Sequence, residues 1–259
     1  MRIYNKCGNI IIYGDEYKKG FLGLDWVPSA TSEANAQRYE EWVVYELNLI
    51  LSRWSGWCVL SEVFSMNRNG RKMSIKPYSP TPDDPLNAYA APLDPQAATL
   101  KGAPQKFGGG PQAGKDIPGA PPGTGKGSDV EIRYTPWLFR PGIGGPGTND
   151  PDEILLHEIV HGLREMSGLY FPGTKTQRFD TSEEFVAILV SNIYRSETGR
   201  PGLRADHSFN SMLSPALSDP AAFANTFHTD LSLMQQEDQN LFFKLRGLST
   251  IPFNPTVHF

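Results

Sequence analysis

Cysteine is scarce in this chain: its 259 residues include two, Cys7 and Cys58. Two thiols make no disulfide framework, and no Cys-x-x-Cys pair offers a thiolate metal site. Both are expected to be small buried hydrophobes rather than a bridge. No apolar run is long enough to cross a bilayer. The start, Met1-Arg2-Ile3-Tyr4-Asn5-Lys6, lacks the apolar core of a secretory signal. A chain of this kind stays in the cytosol or leaves by a route that needs no cleaved signal. Excess positive charge is missing too. Lys and Arg number 24 against 28 Asp and Glu, a formal net charge of -4. That argues against a nucleic-acid partner.

Glycine and proline are plentiful, 25 and 22 residues, and many fall between Pro80 and Lys126. This stretch is expected to be a long loop without a core of its own: a flexible insertion or, in a functional reading, a lid or gate. Its end, Pro122-Gly123-Thr124-Gly125-Lys126-Gly127, contains a Gly-Lys pair. Gly127 stands where a phosphate loop needs Ser or Thr, and no apolar strand precedes it. Nucleotide binding is therefore rejected.

One stretch organises the chain: Asp150-Pro151-Asp152-Glu153, then Ile154-Leu155-Leu156-His157-Glu158-Ile159-Val160-His161-Gly162. Asp150 suits an N-cap, Pro151 the first turn, and Glu153 a capping box. The helix should end near Gly168. It is apolar on most sides, so it should be buried. His157 and His161, four apart, share one face and can reach the same zinc ion. Glu158 lies about 100° around the helix, beside the metal, where it can take a proton from water.

A catalytic zinc usually takes three protein ligands. An extended motif would need Gly and His where Arg164 and Ser167 stand, so the third comes from elsewhere. The best source is a second helix, from about Asp180 to Tyr194, through Glu183 or Glu184. If Asp180 is the N-cap, Glu183 caps and Glu184 is left for zinc. Glu184 is preferred, Glu183 is the alternative, and Asp180, Asp206 and His207 are reserves. Tyr194, His207 and Tyr170 are candidates for the donor that steadies an oxyanion.

The rest of the chain fills in an α+β fold. Residues 2–13 read as a hairpin and residues 15–32 as irregular, with Trp26 as an anchor. Residues 33–54 read as a backing helix. Trp57–Met66 alternates well enough for a strand, Asn69-Gly70 reads as a hairpin turn, and Lys72–Lys76 as the returning strand. Asp129–Tyr134 reads as a strand at the sheet edge, free to pair with an extended peptide. Helices are expected at Pro220–Phe227 and Asp230–Leu245.

Three stretches carry a resemblance: Gly127-Ser128-Asp129-Val130-Glu131-Ile132-Arg133-Tyr134, Leu156-His157-Glu158-Ile159-Val160-His161-Gly162-Leu163-Arg164, and Glu183-Glu184-Phe185-Val186-Ala187. They resemble the NleD-type effector zinc metallopeptidases and the metallopeptidase tails of VgrG-type spike proteins, over residues 127–259. The resemblance implies His157, His161 and Glu184 as ligands and Glu158 as base. Glu-x-x-Ala at 184–187 is similar to the ligand helix of glutamate-type zincins.

The expectation is therefore a zincin-like α+β domain, with a small mixed sheet packed on the backing helix and the His-Glu-x-x-His helix, and a helical C-terminal part. Residues 1–126 and 127–259 should form one compact unit. The expected activity is a zinc-dependent endopeptidase, a bacterial effector or toxin that cleaves a target-cell protein after signal-peptide-independent export. Its partners would be that substrate and a secretion apparatus or chaperone. The alternative is a non-catalytic zincin-fold binding module.

Overall fold

The computed structural model describes residues 1–14, 30–78, 88–106, 115–139, 150–173, 179–206 and 211–259. Trp26, His207 and the glycine-rich loop 141–149 lie outside these, as do parts of the Pro80–Lys126 stretch.

The N-terminal hairpin, β1 (Arg2–Ile3) and β2 (Ile10–Ile12), joins a five-stranded mixed sheet of order β1-β2-β3-β5-β4. β2 runs parallel to β3 (Met73–Lys76), and β3 parallel to β5 (Val130–Arg133). β4 (Tyr89–Pro92) closes the far edge antiparallel to β5. The period-2 alternation of these strands decides their faces. Ile10, Ile12, Met73, Ile75, Val130 and Ile132 are buried on one face. On the other, Lys76 and Arg133 pair with Glu131 at 2.6 and 2.5 Å.

The buried face packs on α4 (Pro151–Ser167), which also contacts α1 (Ala30–Leu51), α2 (Trp54–Ser65) and α5 (Ser182–Glu197). Gly162 makes the close approach to the sheet possible. A Cβ there would lie 2.9 Å from Met73 Cε and 3.2 Å from Val130 Cγ1. One apolar cluster runs from Tyr4 to Phe253, across both halves of the chain.

Five expectations are corrected. Trp57–Met66 is helix, not strand: α2 runs to Ser65 and Met66 opens a 3-10 turn. The buried residues of α2, Ser55, Gly56, Cys58, Val59, Leu60, Glu62 and Val63, fall in groups three to four apart along one broad helical face. Asn69-Gly70 accordingly ends a 3-10 turn, with Gly70 at φ 71°, instead of turning a hairpin. β5 is interior, between β3 and β4, so it offers no free edge. The described part of the Pro80–Lys126 stretch supplies β4 and α3 (Pro95–Ala98) and lies ordered against α4. Its main chain is satisfied internally: Gly123, Gly125 and Gly127 donate to Ala103, Thr99 and Ala97 carbonyls at 2.8, 2.9 and 2.8 Å. Finally, the last long helix is two, α7 (His228–Glu237) and α8 (Gln239–Arg246), after α6 (Pro220–Thr226). Asp238 breaks it because its carboxylate caps α8, accepting from Leu241 N–H at 3.3 Å.

Cys7 and Cys58 are free and buried, and burial pushes their thiols up to about 12 and about 11. No described helix is long and apolar enough to cross a membrane.

Candidate metal centre

α4 and α5 build the centre together. Pro151 opens α4, and Gly168, at φ 71°, terminates it in the left-handed region. Asp150 takes the N-cap position without a side-chain capping bond, so the capping box expected of Glu153 does not form. Glu153 is fully buried and pairs with Arg195 of α5 instead. α5 starts at Thr181, not Asp180: the Thr181 hydroxyl accepts from Glu184 N–H at 3.2 Å.

The expected Asp180 cap therefore fails, and it is the partners across the seam that set the two glutamates apart. Glu183 faces Arg164, at 2.7 and 3.0 Å, and accepts from Phe171 N–H at 2.8 Å. Residues one apart diverge by about 100° around a helix, so Glu184 faces α4's histidines. His157 Nε2 and His161 Nε2 lie 3.1 Å apart. Glu184 reaches them at 3.2 and 3.5 Å. All three side chains are buried or nearly so. The structure therefore brings His157, His161 and Glu184 together and leaves Glu183, the alternative, tied elsewhere.

Donor spacing tests the fit to a metal. Ligands about 2.0–2.1 Å from a tetrahedral zinc stand about 3.3 Å from one another. The two Nε2 atoms, 3.1 Å apart, match that spacing; Glu184 approaches His157 through Oε2 at 3.2 Å and His161 through Oε1 at 3.5 Å, and one ligand atom from each residue lies within 4.8 Å of the others. Two imidazoles and one carboxylate also form a donor set that suits zinc and leaves one position open.

Electrostatics point the same way. Burial raises the cost of charging Glu184, yet His161 and hydrogen bonds from both histidines hold it well below the usual carboxylate range. Burial also opposes charge on His161, but Glu184 outweighs it and lifts the imidazole to about 9. His157, more deeply buried, falls to about 3. The cluster thus draws positive charge into a place where burial resists it.

Compared with family models, curated proteins and solved structures, the chain matches none.

Glu158 lies on the side of α4 turned to the sheet edge. Burial pushes its carboxyl up to about 7, and it accepts a hydrogen bond from the Ala90 main chain. Leu93 N–H donates to Asp129 O at 2.8 Å, so β4 alternation turns Ala90's main-chain groups away from β5. Of the oxyanion candidates, Tyr194 donates its hydroxyl to Asp152 at 2.5 Å, more than a turn before His157. Tyr170 lies within the field of Glu165, Glu183 and Glu184, and burial with those charges raises its phenol.

Sequence reasoning missed Arg204 and β4. Arg204 is buried behind His157, its Nη1 3.4 Å from Nδ1. Asn192 of α5 holds its main chain through bonds of 2.7 and 2.9 Å. Nothing in the surrounding loop marks this arginine. Glu165 was legible: it stands four residues after His161 on the same face and is fully buried, Oε2 without a hydrogen-bond partner.

Proposed function

We propose that this chain is a zinc-dependent endopeptidase with a zincin-like fold. The observation that carries the reading is the buried cluster of His157, His161 and Glu184, one ligand atom from each within 4.8 Å of the others, with Glu158 adjoining it.

His157, His161 and Glu184 would hold the metal. Bound there, zinc supplies Lewis acidity, which acidifies water and polarises a carbonyl. Glu158 takes the water proton and returns it to the leaving amine. A carboxyl near 7 can hold and release a proton at neutral pH. The Ala90 main chain steadies Glu158 for that role. β4, as the edge strand, takes the part first expected of β5, offering an extended peptide its outward carbonyls, since Ala90 N–H is held by Glu158 and Pro92 has none. Tyr170 is the remaining described candidate for the oxyanion donor, and Arg204 sets the field behind His157. The NleD-type affiliation, delivery into a target cell, and an apparatus or chaperone for it rest on the resemblance of residues 127–259 alone.

The test joins metal analysis with Glu158→Gln. The wild-type chain should carry about one zinc, as a site with three protein ligands and one open position implies. The Glu158→Gln variant should keep the zinc while cleavage of a target-cell lysate, read by mass spectrometry of new termini, falls about 10³-fold. A zinc-loaded wild type that cleaves nothing would instead identify a binding module. A chain that takes up no zinc would end the reading.

A further inference from the structure

We propose that the outer face of α2, with the adjoining part of α8, docks on an anionic lipid surface. Trp54, Trp57 and Phe64 are exposed at 68, 44 and 54% and share one side of the 12-residue α2, with about 15 Å of helix between the first and the last. On α8, Phe243 is 51% exposed. These rings are not loose ends. Glu197 fixes the start of α2, accepting from Trp54 N–H at 2.7 Å and Ser55 N–H at 3.0 Å. The Trp54 and Trp57 rings meet edge to face at 6.5 Å, and Lys244 Nζ lies 5.5 Å over the Trp57 ring. Four large rings held outward by a fixed backbone form a patch that a soluble surface rarely carries without a partner.

Charge identifies the partner. Exposed Arg53 precedes Trp54, Lys244 follows Phe243, and exposed Arg246 stands two residues on. The acids that reach this face are engaged: Glu62 with Lys244 at 2.5 Å, and Glu197 with the α2 N-terminus. With Lys244 and Glu62 cancelling, Arg53 and Arg246 still outnumber Glu197, so the patch is weakly basic on a chain of net charge -4 and complements an anionic surface. A second copy would set like charges against each other. A single convex helix bearing tryptophans, phenylalanines and flanking cations suits the headgroup plane of a bilayer, which needs no socket. The stripe lies opposite the α2 side that buries Val59 and Val63.

Vesicle co-sedimentation of the full chain tests this. The vesicles are phosphatidylcholine with about one-third phosphatidylserine, against phosphatidylcholine alone. The wild type should bind the anionic vesicles, with a blue shift of tryptophan emission. Binding should weaken about tenfold or more in Trp54→Ser/Trp57→Ser, and in Arg53→Gln/Arg246→Gln, with unchanged circular dichroism. No binding to anionic vesicles, or equal binding by the variants, overturns the proposal. So does a wild-type dimer in ultracentrifugation that the tryptophan variant abolishes, since the face would then pair copies of the chain.

Discussion

The ends and the middle of the α4–α5 seam treat buried charge differently. At the N-terminal end of α4, Glu153 pairs with Arg195, and Asp152 with Arg200 at 2.8 Å. At the C-terminal end, Arg164 pairs with Glu183 and with Glu237 at 2.7 and 2.8 Å. In both places an arginine from one element meets carboxylates of another, and the pair cross-links the helices. In the middle, Glu184 meets two imidazoles instead. Arginine is always charged and closes a site; an imidazole can give up its proton, offer a lone pair and make room for a cation. Two neighbouring glutamates, 183 and 184, thus serve opposite purposes because they face opposite ends of this contrast.

The largest expected effect breaks the middle. Glu184→Ala should weaken zinc binding roughly 10⁴-fold, about 5 kcal/mol, while Glu183→Ala keeps the metal. Chelator competition measures both, and the reverse outcome would exchange the roles of the two residues.

Next comes an end. Arg164→Leu leaves Glu183 buried without its cation and should cost about 3–5 kcal/mol in denaturant unfolding. Metal stoichiometry should hold if the ends are structural. Loss of zinc without loss of stability would show that end and middle are one unit.

A smaller effect tests the ordered insertion behind the C-terminal end. Gly127 has φ 78°, and a Cβ there would lie 2.0 Å from Met166 O. Gly127→Ala should destabilise by about 2 kcal/mol. A melting temperature equal to wild type would mean that the insertion does not brace α4.

The smallest effect concerns pH at the N-terminal end. Burial, then the Asp152 charge, raises Glu46 from 4.5 to about 7. The folded chain therefore holds a proton between those values that the unfolded chain has released. This contribution is full below pH 4.5 and is lost as pH rises through 7. Glu46→Gln should flatten the fall in melting temperature across that window, by on the order of 1 kcal/mol. An unchanged pH profile would remove Glu46 from that end's charge balance.

Much of this contrast was legible in advance, for identifiable reasons. His157 and His161 share a face because helical geometry is local, and Gly168 marks the helix end by its own backbone freedom. Strands β3 and β5 announced themselves by alternation. The misread segment, Trp57–Met66, is apolar on both readings. Its helical period shows only when Ser55 and Glu62 count as buried, which depends on Glu197 and Lys244, 142 and 182 positions away.

The preference for Glu184 in the sequence rests on the premise of an Asp180 cap, and that premise fails: Thr181 caps α5, while Arg164 and the Phe171 N–H engage Glu183 and leave Glu184 to the histidines. The edge of the sheet went to β4 and not β5 because a glycine-rich stretch folded back across it, a long-range event with no local signature. Sequence alone determined which residues bring donor chemistry and the spacing of the histidine pair, since both follow from side-chain type and the pitch of one helix. Tertiary structure decided which glutamate completes the triangle, which strand lies beside Glu158, and that Arg204 stands behind His157. Those relations join elements far apart in the chain, and burial against Arg164 or the histidines, rather than local propensity, selects among them.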